Sequence, residues 1–175
     1  MLDFGKTLIV AAHPDDEVLG CGGLIAKLIN QGEQVRVVFI AEGSSCRHNT
    51  LTDEVQEEIN FRNQCGIKAM KSLGVNDYHF YNLPCGRLDR EPLIEIAKTI
   101  EKEILDYEPT TVLTHSRNDV HNDHKVIFRA TVQATRPVGK IVKNLLSFEI
   151  LSSSEWSYTE SFKPNVFVNI TSTID

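Results

Sequence analysis

No two cysteines stand close enough to form a C-x-x-C pair; the four present (Cys21, Cys46, Cys65 and Cys85) lie about 20 residues apart. A zinc knuckle and a disulfide framework are therefore not indicated, and a reducing cytoplasm is the expected compartment. Positive charge is also short: 18 Lys plus Arg against 24 Asp plus Glu leave a formal charge of -6. A surface of that sign repels phosphate backbones and anionic lipid heads, which argues against nucleic acid and membrane surfaces as partners. Long apolar runs are missing too. The run Leu8 to Ala12 is preceded by only Lys6 and ends in a burst of acids; it is too short for a secretory h-region, and nothing longer suits a bilayer span. What remains is ordinary: 41% hydrophobic and 24% charged residues over 175 positions fit one soluble globular domain, residues 1–175.

Leu8 to Ala12 reads as a short buried strand, followed by Val18, Cys21, Ile25, Leu28 and Ile29 at helical spacing until Asn30 and Gly32. Val35 to Ala41 is a second buried strand, and polar Glu42 to Thr52 a loop. Thr50 and Asp53 have capping-box spacing before a helix whose stripe is Val55, Ile59, Arg62, Gly66, Ala69 and Leu73. Tyr78 to Leu83 is a third strand and Thr110 to Thr114 a fourth, with the apolar face Leu93, Ile96, Ala97, Ile100 and Ile104 between them. A helix carrying Ile127, Phe128 and Thr131 follows, then two runs read as strands, Leu145 to Leu151 and Asn165 to Ile170. Strands alternating with helices imply right-handed crossovers, hence a Rossmann-like, doubly wound α/β fold with a mostly parallel sheet and helices on both faces. Ligands in such folds bind beyond the carboxyl ends of the strands.

Two polar clusters meet that demand. His13-Pro14-Asp15-Asp16-Glu17 follows the first strand, and His121-Asn122-Asp123-His124 follows the fourth. Two imidazoles and a carboxylate around an open position make a catalytic zinc site. Pro14 holds His13 extended and Asp16 falls in the first helical turn, so His13 and Asp16 can converge, and His124 continues the inward stripe of its helix. These three are the expected zinc ligands, although Fe(II) suits the same donors. Adjacent Asp15 cannot reach the same ion with good geometry, which leaves it as the base that takes a proton from water. The competing reading of Asp15, Asp16 and Glu17 is a macrodipole cap, but the neighbouring His-Pro argues against it. His115 reads as supporting or structural, and His48 and His79 have no partner pattern. Gly20, Gly22 and Gly23 lack phosphate-loop spacing and read as close helix packing. Arg62, a charge on an apolar stripe, either faces substrate or snorkels; Trp156 either stacks on a sugar face or packs.

Ala12-His13-Pro14-Asp15-Asp16-Glu17 together with His121-x-Asp123-His124 resembles the signature of the PIG-L/LmbE family of zinc-dependent de-N-acetylases. Leu73-Gly74-Val75 and Phe162-x-Pro164-Asn165-Val166-Phe167-Val168 extend the resemblance over nearly the whole chain. It implies zinc held by His13, Asp16 and His124, Asp15 as general base, and His121 near the oxyanion with Asp123 supporting it and favouring its protonated form. It further implies removal of acetyl from an N-acetylglucosamine unit in a small-molecule sugar conjugate, a substrate-facing Arg62, and a homo-oligomer. Two departures stand out. Similar proteins often carry an acid where this chain has Cys65, and Ser172 to Asp175 reads as the start of a helix that they continue and this chain does not. An amidase acting on a non-sugar or thiol conjugate is compatible with the same residues. A non-catalytic sugar- or metal-binding module is the other rival, against which the extra carboxylate of Asp15 argues.

Overall fold

A computed structural model describes residues 2–136, 142–158 and 160–174. Five parallel strands, β1 (Thr7–Ala11), β2 (Val35–Ala41), β3 (Asp77–Leu83), β4 (Thr111–His115) and β5 (Asn144–Phe148), form one sheet in the order β3-β2-β1-β4-β5. The helices between them are α1 (Asp16–Asn30), α2 (Asp53–Leu73), α3 (Leu93–Tyr107) and α4 (Asn122–Ala134), with a short α5 (Leu151–Ser154) after β5.

The two-residue side-chain period of β1 divides the core. Leu8, Val10 and Ala12 join Ile96, Ile100 and Ile104 of α3 and Val126, Ile127 and Ala130 of α4 on one face. Ile9 and Ala11 join Cys21, Leu24, Ile25 and Leu28 of α1 and Met70 of α2 on the other. A sheet buried on both faces is why β1 and β2 read as continuous apolar runs. Gly20 and Gly23 are packing positions, as expected: an added Cβ would stand 2.4 Å from the Phe148 ring and 2.6 Å from Ile170, respectively, whereas at Gly22 it would meet only Val18 of the same helix, at 3.6 Å. Far from the strands' carboxyl ends, the nearly buried Arg36 binds Asp77, Glu103 and Asp106 at 2.9, 2.9 and 2.7 Å, joining β2, β3 and α3.

Three expectations are corrected. The α2 cap is Thr52, whose hydroxyl accepts from the Val55 N–H, and not Thr50. β5 ends at Phe148, where the chain turns into α5 instead of extending to Leu151. Residues Asn165 to Ile170 form no strand. Pro164 lacks an N–H for a ladder, and the segment is fixed by side chains instead, with Val168 against the α1-side core and Ile170 against Gly23. Thr171–Thr173 is a single 3-10 turn; Asp175 lies outside the described residues. Among the described residues no helix is long and apolar enough to cross a membrane.

The strand sequence runs outward from β1 to β3 and returns to β4 beside β1. The order therefore reverses between β1 and β4, and the crevice at their carboxyl ends is where such sheets bind ligands.

Candidate active site

His13, Pro14 and Asp15 form the turn between β1 and α1, at that crevice. The His13 N–H donates to Asp16 Oδ2 (2.8 Å), which folds the turn and leaves the imidazole Nδ1 3.4 Å from the same oxygen. Across the crevice His121 caps α4, its Nδ1 accepting from the Asp123 N–H at 3.2 Å. His124, one turn further along, stacks on His121 with centroids 4.5 Å apart and lies 3.4 Å through Nε2 from Asp16 Oδ1. Donor atoms of His13, His121 and His124 all fall within 4.8 Å of one another, as do those of Asp16, His115 and His124.

The backing of these imidazoles distinguishes them. His13 Nε2 meets the fully buried Asp123 at 2.9 Å, and that carboxylate also accepts from the Gly86 and Leu88 N–H groups. His124 Nδ1 meets Asp119 at 2.9 Å, a carboxylate that also accepts from the His121 N–H and the Ser153 hydroxyl. A carboxylate behind an imidazole fixes its tautomer and aim, the usual second layer of a metal site. The front spacing fits pair by pair with Asp16, although His13, Asp16 and His124 are not among the triads of described residues whose donor atoms all lie within 4.8 Å of one another. Two donors on a tetrahedral zinc, each roughly 2.0–2.1 Å from it, stand about 3.4 Å apart, which is the length of the contacts from His13 and His124 to the two oxygens of Asp16.

Charge follows the same pattern. Burial opposes a charged His13, yet Asp123 and Asp16 hold its pKa up to about 12; His124, likewise buried, is held at about 9 by Asp119 and Asp16. Asp16 is nearly inaccessible, but the surrounding imidazoles keep it well below the usual carboxylate range. The surrounding carboxylates thus draw protons onto His13 and His124, and a metal ion binding there must displace those protons, since an imidazole ligates only when neutral. His115 differs. Burial lowers its pKa to about 3, and its Nε2 accepts from the Ala12 N–H at 2.9 Å, tying β4 to the end of β1.

Asp123 supports His13 and not His121, a correction to the expectation. The reason is local: as the α4 cap, His121 turns its Nδ1 back to the helix amides, while the Asp123 side chain projects into the loop after β3. Burial lowers the pKa of His121. A neutral ring whose Nδ1 accepts must carry its proton on Nε2.

Asp15 adopts φ 143°, ψ -24°, a region nearly reserved for glycine. Its N–H donates to Glu17 Oε2 (3.0 Å), and its half-exposed carboxylate pairs with Arg62 at 2.8 Å. Burial and the neighbouring Asp16 charge raise its pKa above the usual carboxylate value, with Arg62 pulling the other way. Asp15, Arg62, Pro14, Ser44, Phe61 and Cys65 line a groove of about 730 Å³, within the range of small-molecule sites. Trp156 is not brought there; it stands exposed, edge-on to Tyr158.

Sequence reasoning did not reach Asp119, Glu42 or Cys85. Glu42 accepts from the N–H groups of Ser44, Ser45 and Cys85, and Cys85 Sγ lies 3.6 Å from His13 Nε2. All three follow strand ends on the site's edge, the signal that could have found them.

Residues 8–135 match the family model described as PIG-L, GlcNAc-PI de-N-acetylase. The chain is 30% identical over 167 residues to the uncharacterized deacetylase YaiS of Escherichia coli (strain K12), covering 93% of this chain and 80% of that protein. It is 29% identical over 138 residues to a probable N-acetyl-alpha-D-glucosaminyl L-malate deacetylase 2 of Bacillus cereus, covering 76% of this chain but 62% of that one. Among solved structures, N,N'-diacetylchitobiose deacetylase from Pyrococcus horikoshii superposes with a TM-score of 0.71 at 23% identity, over 97% of this chain and 66% of that one. At that identity the likeness speaks for the fold.

Proposed function

The chain belongs to the PIG-L family of de-N-acetylases, and from that premise we propose that it is a metal-dependent hydrolase removing the acetyl group from an N-acetylglucosamine unit of a small sugar conjugate. One observation carries the reading: two imidazoles at the β1/β4 crevice, each backed by its own buried carboxylate, both 3.4 Å from Asp16. His13, Asp16 and His124 would hold the ion; zinc is the choice the donor set favours, with Fe(II) second. When bound, the metal supplies Lewis acidity to the scissile carbonyl and to the attacking water.

The remaining steps belong to the chain. Asp15, beside the cluster and open to the groove, accepts the proton that the water loses as its oxygen bonds to the acetyl carbon. A raised pKa makes it a better acceptor. His121, neutral with its proton on Nε2, donates to the carbonyl oxygen as negative charge develops there. The carbon–nitrogen bond then breaks, and Asp15 returns its proton to the departing amine, leaving acetate and a free amino sugar. Arg62 orients Asp15 and borders the space for the rest of the substrate. The same reading takes residues 1–175 as one cytoplasmic domain that assembles with copies of itself.

The test measures metal content and acetate release on one preparation, over a panel of N-acetylglucosamine conjugates with neutral and anionic aglycones plus non-sugar amides. Acetate and amine appearing in equal amounts from the sugars is the expected result. Turnover confined to non-sugar amides would replace the substrate class, and no turnover by fully metal-loaded protein would leave the rival binding-module reading standing.

A further inference from the structure

Cys46 and Cys85 meet beside the cluster although they are 39 positions apart, with sulfurs 3.0 Å from each other. Cys46 is exposed on the turn after β2, whereas Cys85 is buried in the loop after β3. Both turns are clamped. The buried Glu42 carboxylate accepts from Ser44 and Ser45 on the first and from Cys85 on the second, while Asp123 accepts from Gly86. On its other side Cys85 Sγ lies 3.6 Å from His13 Nε2, the nitrogen that also meets Asp123. Disulfide sulfurs stand about 2.05 Å apart, so bonding these two requires roughly 1 Å of side-chain approach between backbones already held in place.

We propose that Cys46 and Cys85 are an oxidisable dithiol, closed by a low-molecular-weight disulfide, and that closure slows hydrolysis by taking Cys85 away from His13. The deprotonated sulfur of Cys46, the member a reagent can reach, attacks one sulfur of RSSR; the reagent's bond breaks and RS⁻ leaves. The deprotonated sulfur of Cys85 then attacks Cys46 and expels the second RS⁻. The protein loses two protons and two electrons, RSSR becomes two RSH, and one disulfide bond is formed for the one broken. The covalent half of this proposal goes beyond the hydrolytic reading; the rate half rests on it.

The test uses reduced, zinc-loaded full-length protein carrying Cys65→Ser throughout, so that the exposed thiol on the groove cannot react; it is treated with 2-hydroxyethyl disulfide, and intact mass, linked peptides and acetate release are followed. The expected product is lighter by two hydrogen atoms, with 46 joined to 85, and its rate falls by a few-fold, less than the roughly tenfold or more of losing a carboxylate partner, because His13 keeps Asp123 and loses only the Cys85 contact. Dithiothreitol restores it. Cys46→Ser should hydrolyse at the untreated rate and be indifferent to the reagent. A stable mixed disulfide at Cys46, or no 46–85 link, overturns the covalent half even if no substrate is turned over. A link that leaves the rate unchanged, or equal slowing of Cys46→Ser, overturns the rate half.

Discussion

The carboxylate of Asp123 reaches His13, 110 positions away, and turns from His121, two positions before it. Asp119 stands behind His124 in the same manner. Asp123→Asn and Asp119→Asn should each weaken zinc binding by about 10–100-fold while leaving all the proposed ligands present. Competition against a chromophoric chelator measures this. Unchanged affinity in both would reduce the two carboxylates to fold-holding groups.

The backbone at Asp15 predicts an inverted stability order. Alanine normally exceeds glycine by about 0.5–1 kcal/mol, since glycine loses more chain entropy on folding. At φ 143° a Cβ costs on the order of 1–3 kcal/mol. Asp15→Gly and Asp15→Ala both lose the carboxylate, so their difference isolates that cost. Denaturant midpoints should rank Gly above Ala; the ordinary order would mean this turn is unstrained.

Glu17 is wholly inaccessible, and one of its oxygens has no hydrogen-bond partner; burial raises its pKa to about 7. The folded state therefore holds this proton more tightly than the unfolded chain. The resulting stability is fully present below the ordinary carboxylate value near pH 4.5 and is lost as pH rises through about 7, on the order of 3 kcal/mol in all. Glu17→Gln keeps an acceptor for the Asp15 N–H and removes the titration. Its melting temperature relative to wild type should be higher at pH 8 than at pH 5, and a constant difference across that range would contradict the assignment.

Much of this was legible because it is written locally. β2 shows itself as a continuous apolar run and α1 and α3 as apolar stripes, each in its own residues, and the two His-Asp motifs fall where parallel strands must end. The Asp119–His124 and Asp123–His13 pairs had no such signal, since an i,i+5 contact off a helix start and a contact across the sheet obey no sequence spacing. Nor could the apolar run within Asn165 to Ile170 say whether those residues face a strand partner or a helix. There tertiary packing against Gly23 decided.

Asp15 and Asp16 differ by one position yet are assigned unlike roles, and the structure separates them physically: Asp16 is buried among imidazoles, while Asp15 is half-exposed on the groove beside Arg62. Asp16→Ala removes the carboxylate shared by His13 and His124, so metal content should fall and activity with it. Asp15→Asn is nearly isosteric and leaves the three proposed donors in place. Metal content should persist while turnover drops by roughly 100-fold or more, the usual worth of a positioned base, and excess zinc should not restore it. Metal content and acetate release must be read on the same samples, because either alone cannot tell a missing ion from a missing base. Loss of metal in Asp15→Asn with retention in Asp16→Ala would exchange the two roles. Full activity in Asp15→Asn would remove the base from Asp15.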